Sequence, residues 1–230
     1  MPADPHPSGF LTKYDIGIDD SGRGALGGVQ VIAAVYAPEP KRLQWLGATD
    51  SKNTSPRQRH KFVIGIHKLA GAHVAVAAAD AAWINQVGVD QAEALSVRSL
   101  VDEMALKLGV DHSRLRLWID GKKNFPNLPV DVETRFIPRG DGYVPVIAAA
   151  SMVASHQVDV QLAKLQPDYP EWPLVAGRAY SLPEHLQLLY DHGPCPWHYQ
   201  KACRTAVTHY ALKKGLPLPT WLRSSWKEVV

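Results

Sequence analysis

Short runs of β-branched and aliphatic residues alternate along the chain with longer stretches whose apolar positions recur at helical spacing. Tyr14 to Asp19 reads as a strand, with Ile16 and Ile18 on one face and Asp15, Gly17 and Asp19 on the other. Asp20 is expected where that strand gives out, just before the turn Gly22-Arg-Gly24. Val29 to Tyr36 is continuously apolar and predicts a second core strand, which Pro38 and Pro40 end. Further strands are predicted at His73 to Ala79, Leu115 to Ile119 and Thr134 to Ile137. Ser55-Pro56 predicts a helix to about Leu69, serine as N-cap and proline at the first helical position. Asp90 to Leu108 repeats Ala94, Leu95, Val97, Val101, Met104 and Leu108 at helical spacing, and Gly109 closes it. A long Ala-rich helix is expected from Val144 to Leu165. Ser181-Leu-Pro-Glu184 has capping-box spacing for a helix ending near His192-Gly193, and Trp197 to Lys214 predicts another. Strands interleaved with helices, with acids at strand ends, indicate an α/β fold with its site at a sheet edge.

Composition narrows the class without naming a chemistry. The chain has 230 residues, 46% of them hydrophobic and 20% charged, which suits a single globular core. We expect a leader over residues 1–9, one domain over 10–212 whose helical C-terminal part spans roughly 166–212, and a tail over 213–230. A net charge of +3 neither announces nor excludes a nucleic-acid partner, so local placement of Lys and Arg decides. No apolar run reaches membrane-spanning length and no signal-peptide pattern is present. Cys195 and Cys203 are the only cysteines, which fits a reducing compartment. The expectation is a soluble cytoplasmic protein, without a membrane partner.

The chemistry-bearing residues are acids placed beside glycines. Asp19, Asp20, Asp120 and Asp141 each lie at a strand end or before a helix. Taken singly, each fits ordinary turn chemistry. Together they are what hard divalent cations require: a few carboxylate oxygens, with waters and a substrate phosphate completing the shell. Adjacent carboxylates repel unless a cation bridges them. Glycines at 22 and 24 are expected to make positive-φ turns that let the backbone approach a ligand closely.

Five segments then carry a resemblance in order and spacing. Ile16-Gly-Ile-Asp-Asp-Ser-Gly-Arg-Gly24, Asp50-Ser-Lys52, Ile119-Asp-Gly121, Gly140-Asp141 followed by Val144-Pro-Val-Ile-Ala-Ala-Ala-Ser151, and Tyr190-x-x-Gly-Pro-Cys-Pro-x-His198 resemble type 2 ribonuclease H, ribonuclease HII, over residues 14–207. The resemblance implies a ribonuclease H-like fold: a mixed central sheet flanked by helices, with a helical C-terminal part. It implies a monomeric endonuclease of DNA replication and repair that hydrolyses the RNA strand of RNA–DNA hybrids. It would also cut 5′ to ribonucleotides embedded in duplex DNA, leaving 3′-hydroxyl and 5′-phosphate ends. The implied cofactors are two divalent ions, Mg²⁺ or Mn²⁺, on Asp19, Asp20, Asp120 and Asp141. Gly22, Arg23 and Gly24 would read the ribose 2′-hydroxyl and adjacent phosphate, the group that distinguishes RNA from DNA. Ser51 and Lys52 would hold the backbone, Arg178 a phosphate, and Tyr180 would stack on the junction sugar. Asp-Ser-Gly also resembles the type 3 enzyme, but Gly-Arg-Gly favours type 2 and the expected length leaves no room for the type 3 extra domain.

The match departs at three places. The second acid of the family is glutamate, and here it is Asp20. Lysine and arginine after the fourth acid are replaced by Ser155 and Val158, with Asp159 kept. Lysine-glycine-tyrosine-glycine-threonine becomes Arg178-Ala-Tyr-Ser-Leu182. A non-cleaving hybrid-binding module is therefore the alternative reading. His192, Cys195, His198 and Cys203 have zinc-ligand chemistry, but within Gly-Pro-Cys-Pro they are read as packing, as are Trp197 and Tyr199. Leu186 to Tyr190 with Trp221 and Trp226 is a weak candidate for docking a replication clamp. Helix core and tail are the preferred reading.

Overall fold

The computed structural model describes residues 13–121 and 132–223. The expected leader, Lys122-Lys123 and Trp226 lie outside these residues. Five strands form one mixed sheet in the order β3-β2-β1-β4-β5: β1 Tyr14–Ser21, β2 Val29–Tyr36, β3 His73–Asp80, β4 Leu115–Asp120 and β5 Glu133–Ile137. β1 pairs antiparallel with β2 and parallel with β4. β2–β3 is antiparallel and β4–β5 parallel. In chain order the helices are α1 Pro40–Trp45, α2 Pro56–His67, α3 Ala81–Val87, α4 Val89–Leu108, α5 Pro145–Leu165, α6 Leu174–Gly177, α7 Pro183–His192, α8 Gln200–Lys214 and α9 Thr220–Arg223.

Side-chain alternation divides the core between the two faces of the sheet. Ile16, Ile18, Ile32, Leu117 and Ile119 pack with Val97, Leu100, Val101 and Met104 of α4. On the other face Val31, Ala33 and Val35 pack with Phe62 and Ile66 of α2 and with Val146, Ala149, Ala150 and Val153 of α5. β2 is buried from Val29 to Val35 because both of its faces are covered, which is why its sequence does not alternate.

Gly17 sets the distance between β1 and α5. A Cβ there would lie 2.1 Å from the Val146 carbonyl carbon and 2.5 Å from the Ile147 nitrogen, so backbone meets backbone. Gly17→Ala is expected to cost about 2 kcal/mol or more, as overpacking against an immovable neighbour does. Urea denaturation measures this, and an unchanged midpoint would contradict it.

Local signals hold with corrections. Ser55 and Gln58 complete a reciprocal capping box before Pro56, and Gly109 ends α4 at φ 65°. β1 runs on to Ser21, since Asp20 pairs with Ile32 and Ser21 with Val31, so Asp20 is inside the strand. α7 begins at Pro183 with Leu182 as N-cap and no side-chain cap, so Ser181 is not the cap. The Leu182 N–H bonds to the Tyr180 carbonyl at 2.9 Å, which draws residues 180–182 into a turn of their own. α8 starts three residues later than predicted. Trp197 closes a turn and His198 bridges to Gly27 instead, Gly28 donating to the Trp197 carbonyl and Tyr199 to the Leu26 carbonyl, both at 2.8 Å. Four short helices go beyond the sequence prediction, α1, α3, α6 and α9. Of these, α3 is capped by Asp80 accepting from the Trp83 N–H at 2.8 Å.

Candidate active site

The parallel register sets Ile18 beside Ile119, so the next residues, Asp19 and Asp120, come side by side where β4 ends and β1 runs on for two more residues. Asp141 enters from the turn Gly140–Gly142, and its N–H points to Asp120 Oδ1 at 3.4 Å. Asp20 follows Asp19, and both, with Asp120, line a small cavity closed by Ile18, Ile32, Glu93, Val97 and Ile119. The Asp20 N–H donates to Asp19 Oδ1 at 2.8 Å. Asp19, Asp20 and Asp120 open together into a cleft of about 390 Å³ whose walls include Gly22, Arg23, Gly24, Ser51, Lys52, Arg178 and Tyr180. Ten of the eleven expected site residues thus line one cleft, and Asp141 adjoins it through Asp120 and Lys52.

Burial and mutual repulsion govern the carboxylates. Desolvation, then the charges of Asp20 and Asp120, push Asp19 well above the usual carboxylate range, against a Ser151 hydrogen bond that lowers it. Desolvation and then Asp141 push Asp120 up. Lys52 Nζ reaches Asp141 Oδ2 at 3.4 Å. Burial works against its charge, but Asp141 and Asp50 outweigh burial and hold it above its ordinary value. Among the described residues, no three His, Cys, Asp or Glu side chains are gathered closely enough to hold a metal ion.

Beneath the acids lies a polar scaffold that the sequence did not announce. Ser51 Oγ bonds to the hydroxyls of Ser151 at 2.9 Å and Ser155 at 2.8 Å, and Ser155 to that of Ser21 at 3.2 Å. Asp159 sits one turn beyond Ser155 on α5, where its carboxylate bridges two cations. Arg59 Nε lies 2.7 Å from one oxygen and Arg178 Nη1 2.8 Å from the other. Arg59 is buried and also donates to the Ser51 carbonyl at 3.1 Å, which ties the Lys52 turn to α2. Serine in place of the family's lysine at 155 thus packs the floor of the cleft.

The glycine turn and the tyrosine loop meet above this floor. Gly22 adopts φ +91°, and a Cβ there would lie 2.2 Å from the Val29 carbonyl oxygen. Gly24 does not take a positive φ. Tyr180 is its neighbour: a Cβ at 24 would lie 3.6 Å from Tyr180 Cε1, an ordinary contact, so neither backbone conformation nor space requires glycine there. Tyr180 stays 40% exposed, as a ring facing the cleft must. Before it, Arg178 and Ala179 hold φ of 49° and 54°, so alanine occupies a left-handed position where the resembled family has glycine. The Arg23 guanidinium turns toward α4, pairing with Asp90 and with the buried Glu93.

Of the four zinc-type residues, His198 and Cys203 are buried and hydrogen-bonded, Cys195 is half-buried and His192 is exposed. Cys203 is fully buried, its thiol donates to the Leu26 carbonyl, and burial pushes its pKa up to about 12. Trp197 and Tyr199 are core residues. The candidate clamp segment lies in α7, with Leu189 buried and the Trp221 indole packed over Gly193.

Comparison with known proteins converges on one family. The ribonuclease HII family model matches residues 16–210. Ribonuclease HII of Xylella fastidiosa is 35% identical over 190 residues, spanning 82% of this chain and 76% of that protein. Ribonuclease H2 of Pyrococcus horikoshii superposes with a TM-score of 0.65 at 19% identity, over 85% of this chain and 98% of that one. Bst-RNase HIII in complex with Mn²⁺ gives 0.63 at 18%, over 91% and 76%. The two structures share the fold, a mixed sheet with flanking helices, and the family match with the identity of the relative carries the rest: this chain belongs to the ribonuclease HII family of endoribonucleases.

Proposed function

We propose that the chain hydrolyses the RNA strand of RNA–DNA hybrids and cuts 5′ to single ribonucleotides in duplex DNA, leaving 3′-hydroxyl and 5′-phosphate ends. Asp19, Asp20, Asp120 and Asp141 hold two divalent ions, Mg²⁺ or Mn²⁺. The observation that carries this reading is the juxtaposition of Asp19 and Asp120 on paired strands, whose repelling carboxylates open into a cleft walled by glycines and cations. The donor set fits hard dications: oxygen ligands only, with negative charge crowded where burial disfavours it. When bound, such ions activate a water and stabilise the leaving oxygen in phosphodiester hydrolysis.

The protein's own groups position the strand. Lys52, tied to Asp141, supplies positive charge to the scissile phosphate. Arg178, fixed by Asp159, takes a flanking phosphate without losing its place. The Gly22–Gly24 turn lets the backbone reach the ribose 2′-hydroxyl. Arg23 contacts phosphate on leaving its α4 partners. Tyr180 stacks on the sugar at the RNA–DNA junction.

A labelled duplex with one ribonucleotide, and an all-RNA strand on DNA, each with Mg²⁺ or Mn²⁺, test this, with Asp120→Asn as blank. A single cut 5′ to the lone ribonucleotide, absent in the blank, is expected. Binding to both duplexes without cutting would replace this reading by a hybrid-binding module. Asp20 is one methylene shorter than the family's glutamate, about 1.5 Å of reach, and Mg²⁺ tolerates displaced ligands less well than Mn²⁺. Asp20→Glu is therefore expected to raise Mg²⁺-dependent cleavage more than Mn²⁺-dependent cleavage. A fall with both metals would mean that the backbone around residue 20 has already adapted.

A further inference from the structure

Two fully buried histidines, His185 of α7 and His198 before α8, take no part in the cleft chemistry. They lie among Trp172 and Trp197, the Trp197 ring stacked on His198 at 3.6 Å. Their hydrogen bonds determine where each proton sits. The Cys195 N–H lies 2.9 Å from His198 Nδ1, which must accept and therefore carries no proton. His198 is then protonated at Nε2, 2.9 Å from His185 Nε2, and donates to it. His185 Nε2 accepts, so its proton is on Nδ1, 2.8 Å from the Tyr180 carbonyl oxygen. Every ring nitrogen is used and the direction is fixed: Cys195 N–H to His198 to His185 to Tyr180 C=O. Both rings are neutral, and burial followed by the neighbouring His185 pushes the His198 pKa down to about 3.

A core packed only for volume would fill this space with apolar rings, because polar groups cost stability wherever one is left unpaired. The relay's two outlets are backbone groups, and one of them belongs to the residue whose ring faces the cleft. That residue follows Arg178 and Ala179, both held at positive φ, a conformation that persists only where its surroundings impose it. The restraints are few: Leu26 N–H to the Ala179 carbonyl at 2.8 Å, Tyr180 N–H to the Gly177 carbonyl at 3.0 Å, and Leu182 N–H with His185 on the Tyr180 carbonyl.

We propose that His185 and His198 are positioning residues, a two-imidazole relay that holds the Tyr180 backbone and so aims its ring beside Gly24. The role given to Tyr180 rests on the function proposed above; the relay itself does not. Neither histidine touches substrate, so both act through Tyr180.

The experiment compares initial rates on the single-ribonucleotide duplex and on the continuous hybrid for wild type, His185→Leu, His185→Asn and Tyr180→Ala, and for His185→Leu combined with Tyr180→Ala. The readout is the ratio of the two rates. His185→Leu is expected to lower it on the order of tenfold, as loss of a bond to a buried carbonyl implies. His185→Asn, whose amide can donate from the Nδ1 position, is expected to recover most of it. In the Tyr180→Ala background His185→Leu should change the ratio no further. A second fall there, or an unchanged ratio with only a lower melting temperature, overturns the proposal. If His185→Leu does not fold, His198→Phe removes the donor that fixes the His185 tautomer and carries the same comparison. Amide exchange at Tyr180 and Leu182 gives a readout without cleavage, expected to quicken about tenfold in His185→Leu. If wild type cuts neither substrate, the proposed function fails, and unchanged exchange in the variant sinks the relay separately.

Discussion

Asp19→Asn is expected to abolish cleavage and, at the same time, to raise the melting temperature of the metal-free protein. The loss should be on the order of 10³-fold or more, comparable to removing a preorganised electrostatic group from an active site. The stability gain follows from linkage. Folding raises the Asp19 pKa through burial, then through Asp20 and Asp120. A carboxyl raised above its unfolded value adds stability that is fully present below the unfolded pKa. That stability is lost as pH rises through the folded pKa. At neutral pH, above the unfolded pKa, the Asp19 carboxyl therefore costs stability that a neutral side chain would not. Asparagine keeps the shape and can still accept the Asp20 N–H, but brings no charge. Melting in a chelator near pH 7.5 should place the variant above wild type, and the gap should close as pH falls below the folded pKa. Adding Mn²⁺ should raise wild type more than the variant. A variant that melts below wild type in chelator would mean that the Asp19 charge is already neutralised by the protein.

Asp159→Ala is expected to give the largest loss of stability. It leaves Arg59 buried, with carbonyl acceptors but no counter-charge, and releases Arg178 from the floor of the cleft. Breaking a buried pair from one side costs about 3–5 kcal/mol, which for a chain of this size lowers the melting temperature by roughly 10 °C. Replacing both partners, Arg59→Met with Asp159→Leu, should recover much of that loss because no buried charge remains. Calorimetry of the single and double variants tests this, and equal melting for all three proteins would place the pair effectively in solvent. Cleavage should remain impaired in the double variant, since Arg178 keeps its Ser21 bond at 3.3 Å but has lost its ion pair.

The sheet was legible because its strands are short apolar runs punctuated by glycine, proline and acid, and the four acids were legible because they occupy those punctuation points. The supporting groups were not. Arg59 and Asp159 are 100 residues apart, and neither carries a local signal that names its partner. Ser21, Ser51, Ser151 and Ser155 look like surface serines until three elements bring their hydroxyls together. Ser181 and Glu184 had the right spacing for a cap, but the tertiary demand on Tyr180 took the turn that the cap would have used. Gly24 suggests a backbone requirement in the sequence, but it has no positive φ and a Cβ there would only touch the Tyr180 ring. Arg23 carries no sequence cue that α4 would hold it.

Asp19 and Asp20 are consecutive, yet strand alternation sends them to opposite faces of β1, one toward α5 and Ser151, the other toward the α4 layer at Val97. The separation of the two carboxylates therefore works as a gauge spanning the sheet, its two jaws seated in different hydrophobic layers. Val97→Ala should shift Asp20 more than Asp19, which Ser151 holds from the α5 side, so metal preference becomes tunable from a residue that bears no charge.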